Sequence, residues 1–169
     1  WVYGAQQDSG ATALPSRAGS GDGISMEQFR EVTVGGESGM IAPDPDDPHI
    51  VFGDAADSGA SVDKLNWQTG QTRDVNPMLA YPNDHYRTVW TMPLTFSKRD
   101  SKTLYFGNQR LFSTSDGGEH WKPISPDLSR RDAGTPSNLD PTTARDDFHV
   151  GNRRGVIYTV APSPLDAKV

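Results

Sequence analysis

Three carboxylates lie in segments with the composition of loops, where an acid could take part in chemistry: Asp8, Glu37 and Asp84. Two carboxyl groups held about 5 to 10 Å apart across a glycosidic bond can hydrolyse it, provided that the surroundings keep one of them protonated. A structural role is open as well. Glu37 suits a solvated loop acid or a cap on neighbouring amides, and Asp8 suits a turn in which its side chain accepts from a nearby amide. These three are the catalytic candidates.

Polar and aromatic side chains that suit ligand recognition occur near these acids and after two β-prone runs. Aromatic rings and arginine commonly anchor interfaces. Tyr86 and Trp90 have an alternative role in packing between structural units, and the paired amides have one in bonding such units to each other. The candidate ligand-binding residues are Gln6, Gln7, Tyr86, Arg87, Trp90, Asn108, Gln109, Arg153 and Arg154.

A turn in the third quarter of the chain identifies the elements that must position these residues. Residues 114–121 read T-S-D-G-G-E-H-W, in which Asp116 can accept from backbone amides of its own turn and two glycines supply positive φ. The tryptophan can then cover the hairpin from the following strand. The turn therefore predicts an antiparallel hairpin with a capping acid. Its structural residues are Thr114, Asp116, Gly118 and Trp121.

A repeat of about fifty residues surrounds this turn. The run 47–53 matches the run 100–107, and Asp47 and Asp100 lie 53 residues apart, with one extra residue placed before the second glycine. Short β-prone runs at such a period predict a β-propeller of four-stranded antiparallel blades. No stretch shows sustained helical periodicity, so we expect an all-β fold with very little helix, present as a partial propeller of about three blades.

The repeat also predicts how the chain is divided, with the four strands of each blade named A to D in chain order. The fourth blade is expected to open on a strand at 155–161. The predicted divisions are 1–34 for the end of one blade, 35–76 for a second, 91–125 for a third that carries the turn, 126–154 for a long loop, and 155–169 for the start of a fourth.

Strand order predicts the end of the blades at which a ligand binds. In an antiparallel blade the A-to-B and C-to-D connections lie at one end, and the B-to-C and D-to-A connections lie at the other. Since the 114–121 turn is a C-to-D connection, the candidate residues are expected together at the opposite end. The segments concerned are Gln6-Gln7-Asp8, Glu37, 54–59, 84–90, 108–109 and 153–154.

Composition excludes several classes of function. Sixteen basic against twenty-two acidic residues give a net charge of −6, which argues against a nucleic-acid partner. No apolar run is long enough to span a bilayer. The absence of cysteine excludes disulfides and thiolate metal sites and fits a secreted or periplasmic protein. Prolines interrupt the acidic run 44–48, and the histidines lack the spacing of a helical zinc pair, so we expect no metal and no cofactor.

With these repeats the chain resembles bacterial Asp-box (BNR-repeat) β-propeller proteins, a group described as glycosyl hydrolase-like and related in fold to the sortilin propeller and to xyloglucanases. Thr114 and His120 depart from the group's usual serine and threonine, and the second blade lacks the box. A complete propeller of this kind has seven or more blades, or roughly 350 residues, so we expect further blades outside this sequence. The resemblance is carried by residues 2–10, 35–39, 42–45, 104–106 and 114–126.

The resemblance implies a propeller that acts on or binds carbohydrate. The alternative is a non-catalytic, sortilin-like propeller that binds a peptide or protein partner, which requires loops but no pair of acids. Sialidase chemistry would need an arginine cluster and a tyrosine nucleophile, yet the chain has no Phe-Arg-Ile-Pro signature, and Phe29-Arg30-Glu31-Val32 is not one.

Overall fold

Short β-strands joined by turns carry almost all of the regular structure. The computed structural model describes residues 1–19, 21–36, 39–55, 61–131 and 155–166. The strands in chain order are β1 (Val2–Gln6), β2 (Gly10–Leu14), β3 (Arg30–Val32), β4 (Ile41–Pro43), β5 (Ile50–Ala55), β6 (Ser61–Asn66), β7 (Gln71–Asp74), β8 (Leu94–Phe96), β9 (Leu104–Gly107), β10 (Leu111–Thr114) and β11 (Lys122–Pro123).

The helical content of these residues is limited to two short segments. A 3-10 turn covers Met26–Gln28, and a short helix, α1, covers Pro77–Ala80 in the connection between the second and third sheets. Asn76 caps α1, since its side chain accepts a hydrogen bond from the Met78 amide at 3.0 Å. Within the described ranges no helix has the length and apolarity to cross a membrane. The expectation of very little helix is confirmed.

The strands form three antiparallel sheets, one for each blade. The first blade has the order β1-β2-β3, the second β4-β5-β6-β7, and the third β8-β9-β10-β11. Each strand pairs with its neighbour in sequence, so every blade is a meander in which only the turns leave the sheet. The chain is an all-β, partial β-propeller, as the repeat predicts.

The strand register corrects one detail of the repeat. Gly53 pairs with Ile41 in the second blade, and Phe106 pairs with Leu94 in the third. Phe106, and not Gly107, therefore occupies the position of Gly53, and the extra residue placed before Gly107 was wrong. The reason is physical, because a shift of one residue would turn every side chain of the strand to the opposite face.

Two apolar cores lie between adjacent blades. Alternate side chains of one strand point to opposite faces, so Val51 packs toward the first blade while Phe52 packs toward the third. Phe52 meets Phe96 edge to face, with ring centroids 5.7 Å apart. The core between the second and third blades is formed by Ala42, Phe52, Val62, Val75, Met92, Leu94, Leu104, Phe106, Phe112 and Trp121.

The 114–121 turn is held by its own side chains. The Thr114 hydroxyl accepts from the Gly118 amide at 3.1 Å, and Asp116 accepts from the His120 amide at 3.0 Å. Burial alone would raise the pKa of Asp116, but the hydrogen bonds from the His120 backbone and ring and from Thr114 outweigh it and lower that pKa to about 2. We call the end of the blades that carries this turn the turn end, and the opposite end the loop end.

Trp121 attaches the third blade to the second. Its indole Nε1 donates to the Val75 carbonyl at 2.6 Å, and its ring packs against Phe106 with centroids 6.4 Å apart. A Cβ on Gly118 would meet the Val75 side chain at 2.9 Å, so the turn can approach the second blade only with glycine at this position. The turn and the tryptophan together close one end of the space between the blades.

Residues 155–161, predicted as a strand, form no strand in the structure. The Ile157 amide donates to the Asn108 carbonyl at 2.7 Å, so the segment runs beside the third blade. One hydrogen bond of this kind does not make a ladder, which is why the strand is missing. The start of a fourth blade at residue 155 stays a prediction.

We expect Trp121→Phe to lower the free energy of unfolding by about 1–3 kcal/mol, because the buried Val75 carbonyl loses its donor. Urea unfolding followed by circular dichroism measures the change. Trp90→Phe is the matched control, since the Trp90 side chain is 60% exposed and the change should stay within about 0.5 kcal/mol. Equal effects of the two substitutions would contradict the role given to Trp121.

Candidate functional site

A buried acid and a buried amide lie between the second and third blades at the loop end. Asp54 stands near the end of β5, and Asn108 follows β9. Phe52 lies two residues before Asp54, and Phe106 lies two residues before Asn108. Both phenylalanines belong to the core between these blades. Side chains two residues apart on a strand share a face, so Asp54 and Asn108 both point into the space between the two blades.

Each of these two side chains has one polar atom without a hydrogen-bond partner. Asp54 and Asn108 are both fully buried. Asp54 Oδ2 accepts from the Met92 amide at 2.7 Å, whereas neither Asp54 Oδ1 nor Asn108 Nδ2 has a partner among the described residues. Because buried polar atoms are normally hydrogen-bonded, the pair presents one oxygen and one N–H donor that a polar ligand can satisfy.

The surroundings of Asp54 favour its protonated form. Burial raises the pKa of its carboxyl to about 7, the Met92 amide opposes the rise, and the charge of Asp63 adds to it. A carboxyl with this pKa can give up a proton near neutral pH, which is the requirement for a general acid. Among the described acids, Asp54 is the one whose pKa is raised to about 7.

Asp63 does not form a catalytic pair with Asp54. Burial, and then the charge of Asp74, raises the pKa of Asp63. Asp63 pairs with Gly53 across the sheet, so its side chain points to the face of β5 and β6 opposite to Asp54. The sheet itself therefore separates the two carboxyl groups, and they cannot act from two sides of one substrate.

Gln109 holds the connection that runs over this site. Its side-chain oxygen accepts from the Arg87 amide at 2.9 Å, and its side-chain nitrogen donates to the His85 carbonyl at 2.6 Å. Gln109 is only 4% exposed. Among the described residues the Gln109 side chain therefore bonds the turn after β9 to the connection between the second and third blades, which is a structural role.

Arg87 is bound by several groups of the following segment. Its guanidinium donates to both carboxylate oxygens of Asp127, at 2.8 and 2.7 Å, and to the Ser129 hydroxyl at 2.7 Å. Its Nε donates to the Gly155 carbonyl at 3.0 Å. The hydrogen bond from Arg87 lowers the pKa of Asp127 to about 2. Arg87 thus ties residue 155 to the third blade, and its charge is already neutralised.

Asp84 and Tyr86 are also engaged within the protein. Asp84 pairs with Arg110 at 2.9 Å. The Tyr86 hydroxyl donates to the Tyr81 carbonyl at 2.9 Å, and its ring packs on Phe112 with centroids 6.4 Å apart. The connection is therefore a fixed platform and not a free loop.

Trp90 is the exposed aromatic ring of this platform. Its side chain is 60% exposed, and it precedes Met92 by two residues. Two residues span at most about 7 Å, so the Trp90 backbone lies close to the amide that binds Asp54. An exposed indole is a surface suited to a sugar ring.

The structure does not join the first blade's candidates to this group. Gln6 is the exposed last residue of β1, and Gln7 and Asp8 are exposed in the turn that follows, where Asp8 has a φ of 61° that suits a turn residue. Asp84 pairs with Arg110, which belongs to the third blade and not to the first. Their proposed roles stay predictions.

Three further candidates, Glu37, Arg153 and Arg154, lie outside the described residues. The residues that are described contain no group of three or more His, Asp or Glu side chains placed to hold a metal ion.

Asp54 was not among the catalytic candidates predicted from the sequence, although the segment 54–59 was predicted to lie at the loop end. A signal was present in Ile50-Val51-Phe52-Gly53-Asp54, because an acid that directly continues an apolar β-prone run falls in the buried part of the strand. Buried carboxyls are rare unless paired, and such a position is a candidate for a perturbed pKa.

Comparisons with models of known protein families and with curated protein sequences find no match. Among solved structures the chain is similar to the GH74 xyloglucanase from Xanthomonas campestris, with a TM-score of 0.52 and 16% sequence identity over 95% of this chain. The chain spans 22% of the length of that structure. At this identity the similarity shows the fold, which is a β-propeller like that of a glycosyl hydrolase.

We expect the free energy of unfolding to fall as pH rises from about 4 to about 7, because folded Asp54 keeps a proton that the unfolded chain releases near the ordinary pKa of 3.8. The stabilisation of the folded state by protonated Asp54 is complete below pH 3.8 and is lost as pH passes the folded pKa of about 7. Asp54→Asn should remove this pH dependence, which amounts to a change on the order of 4 kcal/mol in the free energy of unfolding. Urea unfolding at pH 4, 5.5 and 8 measures it.

Asp8→Asn is the control for this experiment, since it changes the charge equally at an exposed position. Its stability should follow the wild-type curve at all three pH values. An Asp54→Asn curve parallel to the wild type would show that Asp54 is not protonated by its surroundings.

Proposed function

We propose that this chain is part of a glycosyl hydrolase-like Asp-box propeller that acts on carbohydrate at the loop end, with Asp54 as the proton donor. The observation that carries the proposal is the buried Asp54 carboxyl, whose pKa is about 7 and whose Oδ1 has no partner among the described residues. In this proposal the Thr114–Trp121 turn is the Asp box, and its work is structural.

The chemistry follows from the protonated acid. Asp54 gives its proton to the glycosidic oxygen as the bond from that oxygen to the sugar carbon breaks. A second carboxylate on the other side of the ring takes a proton from a water molecule, whose oxygen forms the new bond to the sugar carbon. We assign that second role to Glu37. Support comes from Gly39, two residues further along, where a Cβ would collide with the Asp54 carbonyl oxygen, so that this connection packs directly against β5 at the proposed acid.

The neighbouring residues supply binding. The exposed Trp90 ring offers a flat surface for a sugar. Below the surface, Asn108 Nδ2 is a buried donor without a partner among the described residues. Gln109 and Arg87 hold the platform in place before a ligand arrives. Such preorganisation lowers the entropy that binding must overcome. With this substrate class we expect a secreted or periplasmic location.

A sortilin-like propeller that binds a peptide or protein is the second candidate. It is favoured by the internal pairing of Asp84 with Arg110 and of Arg87 with Asp127, which leaves a rigid surface with an exposed tryptophan. Among the described residues no second carboxylate faces Asp54, and partner binding would need none.

Hydrolysis and binding of polysaccharides by the protein test the proposal. We expect Asp54→Asn to reduce hydrolysis at least a hundredfold while glycan binding, measured by calorimetry, changes only a few-fold. Trp90→Ala should weaken glycan binding about tenfold, because it removes the stacking surface. Asp22→Asn, at an exposed residue outside the candidate site, serves as the control for both measurements.

The outcomes separate the two candidates. Full hydrolysis by Asp54→Asn would remove Asp54 from the mechanism, and full hydrolysis by Glu37→Gln would remove Glu37. Absence of glycan binding, together with peptide binding that depends on Trp90, would establish the sortilin-like alternative.

A further inference from the structure

A cavity that the proposed reaction does not use lies at the turn end between the first and second blades. It has a volume of about 270 Å³. Strand β5 begins and strand β6 ends at this end, and the Trp67 amide donates to the His49 carbonyl at 2.8 Å. The lining residues are Trp1, Tyr3, Arg30, Pro48, His49 and Trp67.

A small buried residue makes room for this cavity. Ala13 pairs with Tyr3 on one side and with Arg30 on the other, so the three side chains share the face of the first blade that packs on the second. Ala13 is fully buried, and its methyl group fills little of the space between its two large neighbours. The core between these blades therefore opens into a cavity at the turn end.

Arg30 contacts two aromatic rings. Its guanidinium carbon lies 4.7 Å from the centroid of the Trp1 ring and 5.7 Å from that of the Trp67 ring. Two indoles thus contact the guanidinium, and its N–H groups donate to no side chain or carbonyl of the described residues. This contact fixes the cation without neutralising it.

No carboxylate of the described residues pairs with Arg30. By contrast, Arg87 pairs with Asp127 and Arg110 pairs with Asp84. The Tyr3 hydroxyl and the His49 ring also make no hydrogen bond within the described ranges, although the His49 backbone amide donates to Asp47 at 2.9 Å. The cavity therefore combines one unpaired cation, two free polar side chains and aromatic faces.

We propose that this cavity binds a hexuronic acid unit of an acidic polysaccharide. The free edge of a guanidinium matches a carboxylate through two parallel hydrogen bonds. Tyr3 and His49 bond the ring hydroxyls, and the exposed part of the Trp1 ring contacts the sugar. A cavity of about 270 Å³ suits one sugar unit better than a folded peptide segment. The inference rests on the proposed function only in taking carbohydrate as the class of ligand.

Calorimetric titration with digalacturonic acid, cellobiose and a triaspartate peptide tests the proposal. We expect digalacturonic acid to bind in low salt, binding to weaken as salt rises, and Arg30→Gln to weaken it at least tenfold. Arg17→Gln is the matched control, because it removes the same charge at an exposed residue outside the cavity. Trp1→Ala, at a side chain that is 51% exposed, should weaken binding without affecting the fold.

Each outcome decides the proposal. Equal affinity of the wild type and Arg30→Gln for digalacturonic acid would overturn it, and so would triaspartate binding as tightly as the sugar acid. If digalacturonic acid fails to bind while neutral glycans still bind in a Trp90-dependent way, this inference fails and the proposed function stands.

Discussion

The aromatic core between the second and third blades is the constraint on which the rest of the structure depends. Phe52, Phe106 and Phe112 are fully buried there, and Trp121 is bonded to the Val75 carbonyl at the turn end. Burial of large apolar side chains is the main favourable contribution to folding. Because the core fixes the separation and register of the two blades, it also fixes which backbone amides and side chains meet at the loop end.

The two ends of this core have opposite chemical character for one physical reason. At the turn end every polar group of Thr114 and Asp116 meets a donor or acceptor, and the pKa of Asp116 is lowered. At the loop end Asp54 is enclosed by the same apolar layer with one amide for a partner, and its pKa rises to about 7. A carboxyl that many hydrogen bonds stabilise as an anion supports structure, whereas one that burial keeps protonated is available for proton transfer.

Particular residues show how much of this could be predicted. The repeat, the strand positions and the scarcity of helix follow from local patterns, since alternation and turn residues act over a few positions. The register of Phe106 was missed because glycine was used as the marker of the repeat, while core packing decides which residue faces inward. The roles of Gln109 and Arg87 were open, because their partners at residues 85, 127 and 155 lie far away in sequence.

The sequence by itself determined the architecture and the turn chemistry of Thr114 and Asp116. Each of these depends on residue type and short spacing. Only the tertiary structure decided that burial raises the pKa of Asp54 to about 7 and that Arg30 contacts Trp1 and Trp67 with no carboxylate partner among the described residues. Both facts arise from desolvation and from contacts between blades, and these depend on how far the blades approach each other and not on any local pattern.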